Sequence, residues 1–274
     1  KVQQALTNAY PQIATTLINE FSSDNIDDIG ADNIYSNFLT RETAYWQPIL
    51  EYNNVDGLQN IWDYHYKAIG QANAALDAIE TTLHNDASLN PAKGEALVAR
   101  AYAHFCLVNL FSQAYNPNTS SSDLGIPYIT RPEEEMNPQR QRGTVAQVYQ
   151  QIAADLEKGL PLIDDSYYQM PKYHFNKKAA YAFAARFYLY YQQWQKALDA
   201  ANVVLTTNDA TTKNLVREWL DFRDAQKTGT RSITAYAQAY ARESEVANLM
   251  LQPVYSQLST NYFIETNQRF SHAY

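Results

Sequence analysis

The stretch that decides the fold is NKKAAYAFAARFYLYYQQWQKALDAANVVL, residues 176–205. Asn176 is placed to cap a helix running to about Gln192, and a second helix runs from about Trp194 to Leu205. The turn between them is too short for anything but an antiparallel helical hairpin. Ala185, Ala197 and Ala201 are small enough for two helices to approach closely, and Tyr188 and Trp194 are placed to fill the gap between turns. These positions fit the tetratricopeptide pattern. Alanine-rich helices in a plain bundle are the simpler reading of the same residues.

Outward from the hairpin, GEALVARAYAHF (94–105) aligns with AYAFAARFYLYY (180–191). Ala96 matches Ala182, Ala99 matches Ala185, Arg100 matches Arg186, and Tyr102 matches Tyr188. The first copy sits in a helix opened by Asn90 as N-cap and Pro91 in its first turn, running through Phe111. Leu97, Ala101, Phe105 and Val108 form its stripe, and Ala96, Ala99 and Ala103 leave room for a neighbour. Thr144 and Gln147 make a capping box. It opens a helix lined by Val145, Val148, Ile152, Leu156 and Leu160 and ended by Pro161. Between these helices lies the insertion 112–143, with four Pro, a Ser run and an acidic triplet at 133–135. Loops of that length are usually functional or mobile.

Upstream, a helix begins near Asp56, with Trp62, His65, Ile69, Ala72, Leu76, Ile79 and Leu83 on one face. Residues 22–54 show no sustained period and read as a long surface loop. Residues 2–21 are helical, with Leu6, Ala9, Ile13, Leu17 and Phe21 on a stripe that Pro11 kinks or splits. Downstream, the periodicity predicts a short helix over 215–222 and another over 235–251 ended by Pro253. The last twenty residues carry no assignment. The fold class is therefore all-α: an irregular tetratricopeptide-like helical-hairpin array with long loops. Residues 1–207 form its core, and 208–274 form a variable C-terminal region.

Composition narrows function. A chain of 274 residues is roughly one large domain or two small ones. The net charge of −8 argues against nucleic acid, whose binding rests on cationic surface. The single Cys106 rules out a disulfide framework, and inside an apolar helix it reads as an inert small hydrophobe. Only 8 Gly argue against a turn-rich sheet protein. No apolar run is long enough to span a bilayer. Lys1 is not an initiator, so the chain reads as a processed or trimmed product.

No constellation for catalysis stands out. The five His residues lack ligand spacing, and His65 and His104 read as satisfied core residues. The stretch DNIDDIGADN (24–33) fails the calcium-loop pattern because Tyr35 stands where a bidentate Glu is needed. The acidic neighbours Asp27 and Asp28, the triplet at 133–135, and Asp164 and Asp165 read as solvated charge, with no metal and no cofactor expected. The aromatic count points elsewhere: 22 Tyr, 10 Phe and 4 Trp exceed the needs of a helical core. In RETAYWQPILEYNN (41–54), Tyr45, Trp46 and Tyr52 lie beside Arg41, Glu51, Asn53 and Asn54 in sequence without helical period. Flat rings with neighbouring amides suit the CH face and hydroxyls of a sugar. The candidate ligand-binding residues are Arg41, Tyr45, Trp46, Tyr52 and Asn53, against a reading in which Trp46 merely anchors the loop. Tyr115, Asn116 and Asn118, and Tyr255, Tyr262 and Phe263, are weaker candidates of the same kind.

The chain resembles the SusD/RagB group of nutrient-binding lipoproteins of Bacteroidetes-type bacteria. The likeness rests on IWDYHYKAIGQANAALDAIE (61–80), GEALVARAYAHFCLVNLF (94–111), TVAQVYQQIAADLEKGLPLI (144–163) and residues 176–205. Trp62, Tyr66, Ile69 and Asn73 stand at the family's habitual positions. So do Glu95, Ala96, Arg100, Ala101, Tyr102 and Leu107, then Asp155 and Leu156, then Ala179, Ala180 and Arg186. The resemblance implies a non-catalytic, surface-exposed, lipid-anchored protein of the outer membrane. It would capture oligosaccharide or polysaccharide, or peptide, and act as a lid on a TonB-dependent outer-membrane transporter (SusC-like). The family's lipidated N-terminal Cys is absent from this chain, so the membrane is reached only through an anchor the sequence does not contain. Members are also usually much longer. A tetratricopeptide-type adaptor holding a peptide or partner helix is the second reading, and an α-helical glycosidase the third.

Overall fold

The computed structural model describes residues 2–28, 30, 38–50, 54–133, 140–205, 212–217, 220, 224, 228–229, 233–256 and 270–272. The described elements are helices, apart from one two-stranded ladder. In order they are α1 (Val2–Thr7), α2 (Thr16–Phe21), β1 (Ile26–Asp28), α3 (Phe38–Ala44), α4 (Leu58–Asp77), α5 (Asn90–Phe111), α6 (Val145–Gly159), α7 (Lys177–Tyr190), α8 (Trp194–Val204), α9 (Ile233–Ala241) and β2 (Phe270–His272). The strands pair antiparallel, Asp27 opposite Ser271. No helix among the described residues is long and apolar enough to cross a membrane.

Helix α5 is the axis of the molecule. Fourteen of its 22 residues are buried, on every side of the helix, as expected where neighbours cover each face. It packs against α4, α6 and α7. Its crossing with α6 is close because glycine meets glycine: a Cβ on Gly94 would lie 2.8 Å from the Gly159 carbonyl oxygen and 2.9 Å from Leu162 Cβ. We expect Gly94→Ala to destabilise by about 1–3 kcal/mol through overpacking, read as a lower urea midpoint. The Thr144–Gln147 capping box forms as predicted, and the Asn176 side chain caps α7 by accepting from the Ala179 N–H at 3.0 Å. Pro11 falls in the break between α1 and α2.

Several expectations need correction. Tyr188 is buried at 4 % exposure, but Trp194 is 63 % exposed and fills no gap. The inward face of α8 is Ala197, Ala200 and Val204. At 100° per residue Trp194 lies roughly a quarter turn from it. Tyr149, Phe187, Tyr191 and Tyr115 instead form a ring cluster joining α6, the end of α7 and the insertion, with centroids 4.9–5.6 Å apart. Tyr115 is thus a packed ring rather than a surface candidate. Arg100 and Arg186, aligned in the repeat, differ in environment: Arg100 is buried and Arg186 exposed. Residues 22–54 hold β1 and α3 and are not loop throughout. Asn90 is the first residue of α5, not its cap, because a 3₁₀ turn at Ala87–Leu89, capped by Asp86, runs directly into the helix. Within 215–222, residues 215–217 are turn and coil and Leu220 is helical, and the others lie outside the described residues.

Helix α9 ends at Ala241, not near Leu251, because the following carbonyls bond elsewhere. Lys172 Nζ donates to the Glu243 and Glu245 carbonyls, and Asn176 Nδ2 donates to that of Leu249. The strap 243–255 is thereby tied to residues 172–176, and its Tyr255 N–H reaches the Gln12 carbonyl at 2.7 Å.

The insertion is fixed by polar contacts over its described part. Arg100 Nε and Nη2 donate to the two Asp155 oxygens at 2.7 and 2.6 Å, and its Nη1 to Asn73 Oδ1 at 2.8 Å and the Thr130 carbonyl at 3.2 Å. Asn73 Nδ2 holds the Ile129 carbonyl, Tyr66 OH holds that of Pro127, and the Ile129 N–H donates to His104 Nε2. Glu95 makes a second buried hub, accepting from Tyr10 OH, Tyr168 OH and His174 Nδ1.

Candidate functional site

Three of the five predicted binding residues stand together on α3 and its exit. Tyr52 and Asn53 lie outside the described residues, as do Glu51, Tyr262 and Phe263. The chain leaves α3 through a tight turn. The Trp46 N–H donates to the Thr43 carbonyl at 3.1 Å and the Gln47 N–H to that of Glu42 at 2.8 Å. The Glu42 carboxylate then accepts from the Leu50 N–H at 2.8 Å, closing the loop onto the helix. This geometry puts Trp46 at φ +54°, a left-handed conformation that costs a bulky L-residue on the order of 1–2 kcal/mol. Such a residue persists only where its surroundings hold it. Here the two backbone bonds and the Glu42 carboxylate do so.

The result is a ring 77 % exposed on a braced turn. Trp46 is therefore not the buried anchor of its loop. Tyr45 is exposed in part, and its hydroxyl donates to the Asp28 carboxylate, which ties the end of α3 to β1. Arg41 lies with its guanidinium 4.9 Å above the ring of Phe38, itself 60 % exposed. Leu50 is exposed on the same closed loop. Phe38 and Leu50 add exposed apolar side chains on the same helix and loop, and neither stands out in the sequence. The signal available was the i, i+3 spacing of Phe38 and Arg41, hidden because the segment shows no helical period. Asn54 is buried and structural: its Oδ1 accepts from the Asp56 N–H.

The remaining candidates divide plainly. Asn116 and Asn118 belong to a turn in which the Asn118 N–H donates to Asn116 Oδ1. Tyr255 is exposed on the strap. Of the acidic neighbours, Asp28, Asp164 and Asp165 serve local structure, and residues 134 and 135 of the triplet lie outside the described residues. Asp164 accepts from the Ser166 N–H, Asp165 from the Lys177 N–H, and Asp28 from the Gly30 N–H. His65 and His104 are core residues, each donating from Nδ1 to a carbonyl of the preceding turn. Burial lifts the Cys106 thiol to a pKa of about 11, which keeps it protonated and unreactive at neutral pH. What the α3 patch offers chemically is flat apolar surface beside a guanidinium, without a nucleophile.

Comparison with known proteins adds the following. A SusD-like family model, described as starch-binding and associating with the outer membrane, matches residues 1–189. A SusD superfamily protein from Bacteroides thetaiotaomicron is 26 % identical, with TM-score 0.61 over 76 % of this chain and 46 % of its own. A putative sugar binding protein from Bacteroides vulgatus aligns over 98 % of this chain and 57 % of its own, at 19 % identity and TM-score 0.67. A laminarin binding SusD-like protein aligns over 74 % of this chain and 42 % of its own, at 20 % identity and TM-score 0.54. The chain thus spans about half the length of these solved structures. Among curated proteins none matches.

Proposed function

The chain belongs to the SusD-like family of starch-binding proteins that associate with the outer membrane, and from that premise we propose that it captures oligosaccharide without catalysis and delivers it to a TonB-dependent transporter. The observation that carries the reading is Trp46, held open to water by a braced left-handed turn at the exit of α3, the helix on which Arg41 lies over the exposed Phe38 ring. Exposing a large ring on a strained backbone costs stability and returns none to the core, so a ligand is the economical reason for it. A sugar ring stacks its CH face on the indole while Arg41 reaches hydroxyls. Tyr45, Tyr52 and Asn53 belong to the same proposed site.

The transporter partner, SusC-like, is proposed to dock on the hairpin. The exposed Leu189, Tyr190, Trp194 and Leu198 support this, since an apolar patch on α7 and α8 suits a protein surface better than water. Surface location and a lipid anchor at the outer membrane complete the proposal. The laminarin binding of one structural neighbour makes a β-glucan a sensible first probe.

Binding to a panel of starch, laminarin and other neutral glycans tests the reading. At least one ligand should bind, and Trp46→Ala should weaken it by about 30-fold, the loss typical of a central aromatic contact. The variant's helical circular dichroism should not change. Equal affinity in the variant removes Trp46 from the site, and a panel with no binder overturns the proposal.

A further inference from the structure

A cavity of about 150 Å³ lies between the segment after α1 and one face of α4, away from the α3 patch in its lining. Asn8, Tyr10 and Gln12 form one wall, and Tyr64, Lys67 and Gln71 the other. The last three recur at i, i+3 and i+7, so a single helix face supplies them. Tyr10 is buried and held in place by its bonds to Glu95 and the Phe175 N–H, which makes a rigid floor. Asn8 donates its Nδ2 to the Gln4 carbonyl at 3.4 Å, which leaves its Oδ1 for a ligand. Among the described residues Lys67 has no carboxylate partner, and the side chains of Gln12 and Gln71 make no hydrogen bond.

In this chain of net charge −8, Arg100, Arg131 and Lys196 each meet a carboxylate and Lys93 and Lys172 bond amide or backbone carbonyl oxygens, whereas Lys67 lines the cavity. No carboxylate lines the cavity, and the Lys67 ammonium sits 5.5 Å from the Tyr64 ring centroid. The Tyr255 N–H bonds the Gln12 carbonyl, which brings the strap and its exposed tyrosine to the rim. The volume is below the roughly 300–1,000 Å³ of sites for drug-sized ligands, so the cavity admits one small ring rather than a chain.

We infer that this cavity binds a single sugar acid. Its carboxylate pairs with Lys67, its hydroxyls bond the amides of Gln12, Gln71 and Asn8, and its CH face lies on Tyr64. The choice of a sugar over another carboxylate rests on the carbohydrate reading above, but the residues are different ones.

The test titrates the whole chain at low ionic strength with sodium D-glucuronate, D-glucose and sodium lactate. Glucuronate should bind about tenfold or more tightly than glucose or lactate, and Lys67→Met and Gln71→Leu should each remove about tenfold of that affinity. Both positions lie on the solvent side of α4, and unfolding midpoints of the variants confirm that they fold. Trp46→Ala should leave glucuronate binding unchanged. Glucose or lactate binding as well as glucuronate, or unaltered binding in Lys67→Met, overturns the assignment. Loss of Trp46-dependent glycan binding with Lys67-dependent glucuronate binding intact would sink the α3 platform and leave this cavity standing; the converse would sink only the cavity.

Discussion

Asp155→Ala lowers the stability of this chain by about 3–5 kcal/mol, the range for stranding one partner of a buried ion pair. Both side chains are under one-tenth exposed. All three guanidinium nitrogens of Arg100 are engaged, two on Asp155 and one shared by Asn73 and the Thr130 carbonyl. Burial opposes the guanidinium's charge, but Asp155 outweighs it and holds the pKa above its ordinary value. Without the carboxylate, the charge stays in the core because Arg cannot shed its proton. The Tyr128 hydroxyl, which donates to Asp155 at 2.6 Å, loses its acceptor as well.

The consequence reaches the insertion. Asn73 spans α4 and the loop, taking the Ile129 and Arg131 carbonyls while accepting from Arg100. Hydrogen exchange at the Ile129 amide should therefore accelerate in Asp155→Ala more than exchange in α7 does. The pair Arg100→Met with Asp155→Leu should cost much less than the single change, since desolvation of both charges disappears. Urea unfolding of the single variant within 1 kcal/mol of the parent, on the order of a surface substitution, would show that the pair does not hold the loop.

This network marks where sequence reading stops. Asn73, Arg100 and Asp155 were visible as family positions, yet their separations of 27 and 55 residues give no hint that they converge. The helices themselves were legible, because α6, α7 and α8 keep apolar period and two carry side-chain caps. Helix α3 was not, for its buried face is Leu39, Thr40, Glu42 and Thr43. Buried polar residues satisfied by local bonds, such as Thr43 to the Leu39 carbonyl, look like loop to any hydrophobic pattern. Trp46 stands out in the sequence as a ring outside helical period, but its exposure follows from a backbone turn that composition does not encode. Trp194 misled for the opposite reason. It satisfies a repeat pattern, but its angle on α8 turns it outward. The cavity beside Lys67 joins residues of two distant segments and had no sequence signature.

The fold should weaken markedly in mild acid, because two neutral histidines are built into it. His104 is fully buried, accepts the Ile129 N–H on Nε2 and donates Nδ1 to the Arg100 carbonyl. A proton on Nε2 would face a donor with a donor, a few ångströms from the Arg100 charge. Burial foremost, with Arg100 adding, holds its pKa down at about 3. Burial likewise lowers His65 to about 4, although its bond to the Ile61 carbonyl pulls the other way. The unfolded imidazoles titrate near 6.5. Above that value both states are neutral and nothing is lost. Below it the unfolded chain takes protons that the folded chain refuses, so stability falls from about pH 6.5 until the folded values near 4 and 3 are reached. At about pH 5 each histidine accounts for about 2 kcal/mol, or about 4 kcal/mol together. Urea titrations between about pH 7.5 and pH 5 measure this directly, above the ordinary range of the carboxylates. His104→Gln should be less stable at neutral pH but should lose about half of the pH dependence. An unchanged slope in that variant, or a parent whose stability is level across the interval, would mean that these rings accept protons in the folded chain and that the Ile129 contact is not what holds the insertion closed.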